Sequence, residues 1–167
     1  VARELASFLG AIQIRSDVER KRLFGCWPAS PNNAVSNPEM YSASATVQTY
    51  HRLQDLTREI VGHGYSVVVD AAFLARSDRH AFVTLAHDLG VSVRIVSCTA
   101  SDETLKRRIL ERLSRADDPS DANLQVLEKQ RELREDLTSE EIKLRFCVDT
   151  EAEDLFAAFR ELSVSSL

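Results

Sequence analysis

Asp17, Asp70 and Asp149 each close a short β-branched run, and arginines crowd the segments around them. Arg20 and Arg22 follow the first run, Arg76 and Arg79 the second, and Arg107 to Arg115 the third. Carboxylates with convergent guanidiniums suit phosphoryl transfer. One carboxylate takes the acceptor's proton, another supports Mg²⁺, and guanidiniums offset charge on the moving phosphoryl group. Each residue also has a structural reading. Asp is a favoured N-cap, so Asp17 reads equally as a cap. Asp70 reads as strand-end punctuation, and the basic stretch Lys106–Arg115 as a solvated helix face. The four histidines show no metal-ligand spacing, and no GxSxG elbow supports a serine hydrolase.

The elements that must position these groups are four strand-like runs: AIQIRSD (11–17), SVVVDAAF (66–73), VSVRIVSC (91–98) and LRFCVDT (144–150). Helical periodicity fills the intervals. An opening helix carries Val1, Leu5, Phe8 and Leu9 and stops at Gly10. A second carries Val47, Tyr50, Leu53, Leu56, Ile60 and Val61 and ends at Gly62-His63-Gly64. A third runs from near Ser77 to Gly90. The next starts after Ser101 and buries Leu105, Ile109 and Leu113. The last opens on a capping box at Thr150–Glu153 and buries Leu155, Phe156 and Phe159. Strands alternating with helices predict an α/β fold with a mostly parallel sheet, its strands VVVD and RIVSC covered on both faces. In such a sheet ligands bind beyond the carboxyl ends of the strands, where Ser16, Asp17, Asp70, Thr99, Ser101, Asp149 and Thr150 fall.

Composition sets the outer bounds. The 167 residues fit one domain, and 44% hydrophobic with 28% charged residues is ordinary for a globular chain. No apolar run reaches the ~18 residues of a membrane span. A net charge of −5 argues against non-specific binding to nucleic acid or anionic membranes. Three cysteines without CxxC spacing read as buried free thiols in a reducing, cytoplasmic compartment. The segment 25–38 holds three of the four prolines and the single Trp, and reads as a long functional loop.

The stretches IRSDVERKRLFG, MYSASATVQTYHRL, GYSVVVDAAFLARSDR and LKRRILERLSRADDPSDANLQVLEKQ resemble, in that order, a group of bacterial P-loop kinase modules of the AAA-family ATP-binding type. Such modules often follow an aminoglycoside-phosphotransferase-like domain. More distantly they are similar to gluconate kinase, zeta toxins and polynucleotide 5′-hydroxyl kinase. The resemblance runs from Val1 to about Phe159. It implies a three-layer P-loop NTPase-type fold with strand order 2-3-1-4-5, four of whose strands lie in this chain. It also implies ATP and Mg²⁺ as cofactors. In the family a hydrophobic strand and the phosphate-cradling GxxxxGK[ST] precede the helix that VARELASFL resembles. No GxxxxGK[ST] occurs in residues 1–167, so the chain is expected to be a single kinase-like domain shortened at its N-terminus. Without that central strand it is expected to present two strand pairs.

The resemblance also implies roles. Asp17 matches the base that deprotonates the acceptor hydroxyl, and Arg20 the arginine facing the acceptor or its phosphate. Asp70 matches the carboxylate near Mg²⁺. Arg79, Tyr41, Thr46 and Tyr50 match the acceptor side. Arg108, Arg112 and Arg115 fall in the lid region, 104–134, where arginines meet the ATP phosphates, and Asp149-Thr150 falls by the adenine-side loop. Ala72 departs from the family's DAT-F pattern, in which a Thr hydroxyl stands at that place, and Leu113 replaces another arginine. The leading expectation is therefore ATP-dependent phosphoryl transfer to a hydroxyl of a small-molecule acceptor, with an upstream phosphotransferase-like domain as a candidate partner. The alternative is a nucleotide-binding regulatory module without transfer. End-phosphorylation of nucleic acid is disfavoured by the acidic balance and the lack of aromatic residues among the basic ones.

Overall fold

A computed structural model describes residues 1–25, 38–115 and 124–164. Most of the expected 25–38 loop, with Cys26 and Trp27, lies outside these residues. The chain divides into two compact units, Ala2–Ala72 and, with Val1, Phe73–Leu167.

The first unit runs α1 (Ala2–Leu9), β1 (Ile12–Arg15), α2 (Ser16–Leu23), a 3-10 turn (Pro38–Tyr41), α3 (Ala43–Gly62) and β2 (Val67–Asp70). Strands β1 and β2 are parallel, with Ile12 opposite Val67 and Arg15 opposite Asp70. The positive φ of Gly10 (61°) lets the chain turn from α1 into β1, while the Ala11 amide bonds back to the Ala6 carbonyl. Leu5 and Ala6 are the buried residues of α1; Phe8 and Leu9 stay more than one-third exposed. Helix α1 packs against β1 and β2, so one narrow stripe is covered. Ser42 caps α3 by accepting from the Ala45 amide. Helix α3 then buries Ala45, Thr49, Tyr50, Leu53 and Thr57, a face offset from the periodicity read in the sequence: Val47 is exposed.

The second unit holds α4 (Arg76–Asp88), β3 (Ile95–Thr99), α5 (Asp102–Arg115), α6 (Leu124–Leu133), α7 (Ser139–Leu144), β4 (Arg145–Asp149) and α8 (Leu155–Val164). Strands β3 and β4 are parallel, from Ile95 opposite Arg145 to Thr99 opposite Asp149. Val148 and Phe159 are fully buried. The capping box expected at Thr150 is not there. Helix α8 starts later and is capped by Asp154, whose Oδ1 accepts from the Phe156 and Ala157 amides. Glu151 instead turns to the start of α5, and Phe156 is half exposed. A capping box does form at α7, where Thr138 and Glu141 bond each other's backbone amides.

The four strands match the four runs, yet they are less covered than their composition predicts. No residue of β2 or β3 is fully buried. Cys98 and Cys147, expected to be buried, are exposed. Each sheet has two strands among the described residues.

Candidate functional site

The carboxyl ends of β1 and β2 bring Asp17 and Asp70 to one edge. Asp70 closes β2 in register with Arg15, and Asp17 enters α2 two residues later. The Arg15 guanidinium lies between the two carboxylates: Nε is 3.6 Å from Asp70 Oδ2 and Nη2 is 3.8 Å from Asp17 Oδ2. Gln13 donates its amide to the same Asp70 Oδ2 at 2.9 Å. Among the described residues Asp70 Oδ1 takes no hydrogen bond, and about 40% of the side chain is open to solvent. A carboxylate held by one oxygen with the other free fits a Mg²⁺ ion that takes most of its ligands from water and phosphate. No group of three or more His, Cys, Asp or Glu that could hold a metal ion occurs among the described residues.

A second group lies along α2 and α3. Arg20 donates to the Met40 carbonyl at 2.8 Å and to Thr46 Oγ1 at 3.4 Å, and its guanidinium stands 5.7 Å from the Tyr41 ring centre. Three residues matched to the acceptor side or its phosphate, Arg20, Tyr41 and Thr46, are thus brought together. Tyr41 is 52% exposed, whereas Tyr50 is buried in the core of the unit. Beside them the buried Glu19 pairs with Arg22 and, at 3.5 Å, with Arg52, joining α2 to α3.

In the second unit the carboxyl ends of β3 and β4 carry Thr99 and Asp149 side by side. Arg108 reaches this end from α5, donating to Thr150 Oγ1 and to the Thr150 carbonyl, both at 2.7 Å. Arg108, Asp149 and Thr150 therefore share one edge. The Glu151 carboxylate accepts from the Ser101 amide and from the Ser101 and Thr104 hydroxyls, closing the start of α5. These bonds, Thr104 first, hold its carboxyl down at about 2. Arg112 and Arg115 belong to α5, but their side chains lie outside the described residues.

Arg79 is placed differently. Its side chain is buried and makes five hydrogen bonds: two to Glu141, and one each to the Phe73, Leu74 and Asp136 carbonyls. A guanidinium has five N–H donors, so this set commits them all within the fold. Glu141 is held at about 2, chiefly by the Arg79 hydrogen bond acting against burial. Phe73, whose carbonyl takes part, has a φ of 47°, which is uncommon for a side chain of its bulk. The cavity between α4 and α7, lined by Arg76, His80, Val83 and Leu144 among others, is only about 140 Å³, below the size of small-molecule pockets.

Gln13, Arg15 and Glu19 are the residues that motif reading passed over. The signal was present in IQIR: polar side chains at alternate positions of a strand need a partner, and Asp70 is opposite.

The family model AAA_33, described as an AAA domain, matches residues 1–137. An uncharacterized protein of Mycobacterium bovis and two uncharacterized proteins from strains of Mycobacterium tuberculosis are each 28% identical over 126 residues, 75% of this chain and 25% of theirs. The chain thus spans about a quarter of the length of these relatives. A gluconokinase from Sinorhizobium meliloti superposes with a TM-score of 0.61 and 19% identity, covering 99% of this chain and 84% of the enzyme. The likeness establishes a P-loop kinase-like α/β fold.

Proposed function

The chain belongs to the AAA domain family, and from that premise we propose that it performs the kinase step of a longer protein, ATP-dependent phosphoryl transfer to a hydroxyl of a small molecule. The observation that carries this reading is the pair of carboxylates, Asp17 and Asp70, meeting at one strand edge around Arg15. Asp17 accepts the acceptor's proton. Arg20, steadied by the Met40 carbonyl and stacked near Tyr41, orients the acceptor with Thr46. Asp70, oriented by Gln13, offers its free oxygen toward the metal. Bound Mg²⁺–ATP supplies the phosphoryl group and most of the electrostatic stabilisation. Arg108 stands at the β3–β4 edge on the nucleotide side. Arg112 and Arg115 complete the proposed lid. Arg79 serves this reading as a positioning residue, because its donors already hold α4 to the Glu141 segment.

The phosphate cradle comes in this reading from a GxxxxGK[ST] outside residues 1–167, with its strand laid against the open β edges. A phosphotransferase-like domain elsewhere in the polypeptide is the proposed partner, and a reducing cytoplasm the proposed compartment. Among the described residues no helix is long and apolar enough to cross a membrane.

The test is phosphoryl transfer from ATP by the full-length protein across a panel of hydroxyl acceptors. Asp17→Asn is expected to cut transfer by about 10²–10⁴, the usual yield of general-base catalysis, while leaving ATP binding within a few-fold. Unchanged transfer in that variant removes Asp17 from the role. A second reading, a nucleotide-binding regulatory module, is favoured by Ala72, which has no hydroxyl where the kinase pattern has one. ATP binding without transfer to any acceptor would select it.

A further inference from the structure

Two glutamates are buried among the described residues, Glu19 and Glu141, and their arginines are held in different ways. In the second unit Arg79 is buried with Glu141 and spends every donor inside the fold. In the first unit the Glu19 side chain is 4% exposed, yet it serves two guanidiniums that are not buried with it. Arg22, 54% exposed, has Nη1 2.5 Å from Oε1, and Arg52, 46% exposed, has Nε 3.5 Å from Oε2. One guanidinium suffices to pair both oxygens of a carboxylate. Here each oxygen faces a different arginine, one from α2 and one from α3, and one positive charge is left over. A guanidinium carries five N–H donors, and among the described residues Glu19 is the partner of only one nitrogen on each. A pair that merely buries charge hides both partners. This one hides the anion and leaves the cations facing out.

We propose that Arg22 and Arg52 form a fork for the phosphate group of a small molecule, with Glu19 as its buried support. The kinase pattern gives neither arginine a role. Glu19 offsets the repulsion between two like charges and fixes both heads on one carboxylate. Two long side chains are thus partly ordered before a ligand arrives, and less rotamer freedom is lost on binding. Their outward N–H groups are planar donor sets of the kind that match phosphate oxygens two at a time. The phosphate belongs either to the acceptor of the proposed transfer or to a separate ligand, and the recognition chemistry is the same for both. Binding at the fork needs no transfer step, so the inference goes beyond the kinase reading and does not depend on it.

Inorganic phosphate is the probe, titrated calorimetrically into the full-length protein with the nucleotide site filled by a non-hydrolysable ATP analogue. Arg22→Gln and Arg52→Gln are each expected to weaken binding about five- to tenfold, through loss of one charge-assisted donor set at a half-exposed position. Either single variant leaves Glu19 one guanidinium, so its carboxylate is not stranded. Arg58→Gln removes the same charge from an exposed arginine of α3 whose partner, Asp55, is exposed as well, and is expected to stay within about twofold of the parent. Arg22→Lys and Arg52→Lys keep the charge without the planar fork. They are expected to weaken binding about two- to fivefold, and they stand in for a Gln variant that fails to fold. The inference is overturned by the absence of saturable phosphate binding, by unchanged binding in either Gln variant, or by an equal loss in Arg58→Gln. Phosphorylated acceptors in the transfer assay then identify the source. A KM raised several-fold in Arg22→Gln at constant kcat places the phosphate on the acceptor. An unchanged KM beside weakened phosphate binding places it on a separate ligand, and the fork stands in both cases. A protein that transfers to no acceptor loses the kinase reading but keeps its phosphate titration, so the two failures are distinguishable.

Discussion

Arg79 and Glu141 form the most buried ion pair among the described residues, with side chains 4% and 8% exposed. Breaking such a pair leaves one charge buried and uncompensated, a cost of about 3–5 kcal/mol. Arg79→Met is therefore expected to lower unfolding free energy by that order, read in a urea melt. Glu141 adds a pH dependence whose direction follows from its shift. Its folded carboxyl is held at about 2 against an ordinary 4.5, so the unfolded chain binds more protons between those values. The stabilisation is complete above about pH 4.5 and is lost as pH falls toward 2; Glu141→Gln should flatten that part of the stability profile. If the profile is as steep without Glu141, the pair is not its source. Asp17, Asp70 and Arg20 were legible as residue types behind strands. Arg15 and Glu141 were not, because their partners stand 55 positions on, at Asp70, and 62 positions back, at Arg79, distances that only the fold closes.

Elements show the same division between local and distant rules. Helix stops at Gly10, Gly64 and Gly90 were readable because each takes a positive φ that glycine adopts freely. The capping box T-x-x-E at Thr138 was equally readable in principle, and it starts α7 in the structure. The same pattern at Thr150 failed because the Thr150 hydroxyl is engaged elsewhere, donating to the Thr99 carbonyl and accepting from Arg108. Exposure of Cys98, Cys147 and β2 was not readable, since it depends on neighbours across the sheet. Helix α3 carries the Arg20–Thr46 contact, and its own stability is testable at two positions. Ser42→Ala removes the N-cap bond to Ala45 and should cost about 1 kcal/mol. Thr57 is buried with no hydrogen-bond partner for its hydroxyl among the described residues. Thr57→Val keeps the shape and deletes the unsatisfied oxygen, so melting should show an unchanged or more stable protein, by up to about 1 kcal/mol. A clear loss of stability in Thr57→Val would mean that the hydroxyl is bonded in solution.

For the molecule as a whole, the decisive feature is that each unit contributes one parallel pair, β1 with β2 and β3 with β4. Parallel strands are normally buried on both faces and flanked on both edges. Here the Val67-Val68-Val69 run and the Ile95-Val96 run, the most apolar of their strands, have no fully buried residue. A strand added against either pair would bond backbone groups that the pair's own ladder does not use, and an unmade backbone bond is costly once its edge is covered. Hydrogen exchange distinguishes the two situations amide by amide. In residues 1–167 alone, alternate amides of Val67–Asp70 and Ile95–Thr99, those pointing away from the existing ladder, should exchange at rates near those of an open edge. With the strand of the proposed function laid against them, the same amides should slow by about 100-fold or more, because they then open only with the sheet. Protection of every amide on both strands in residues 1–167 alone would mean that the pairs are already complete, and the phosphate cradle would have to be sought elsewhere than beside them.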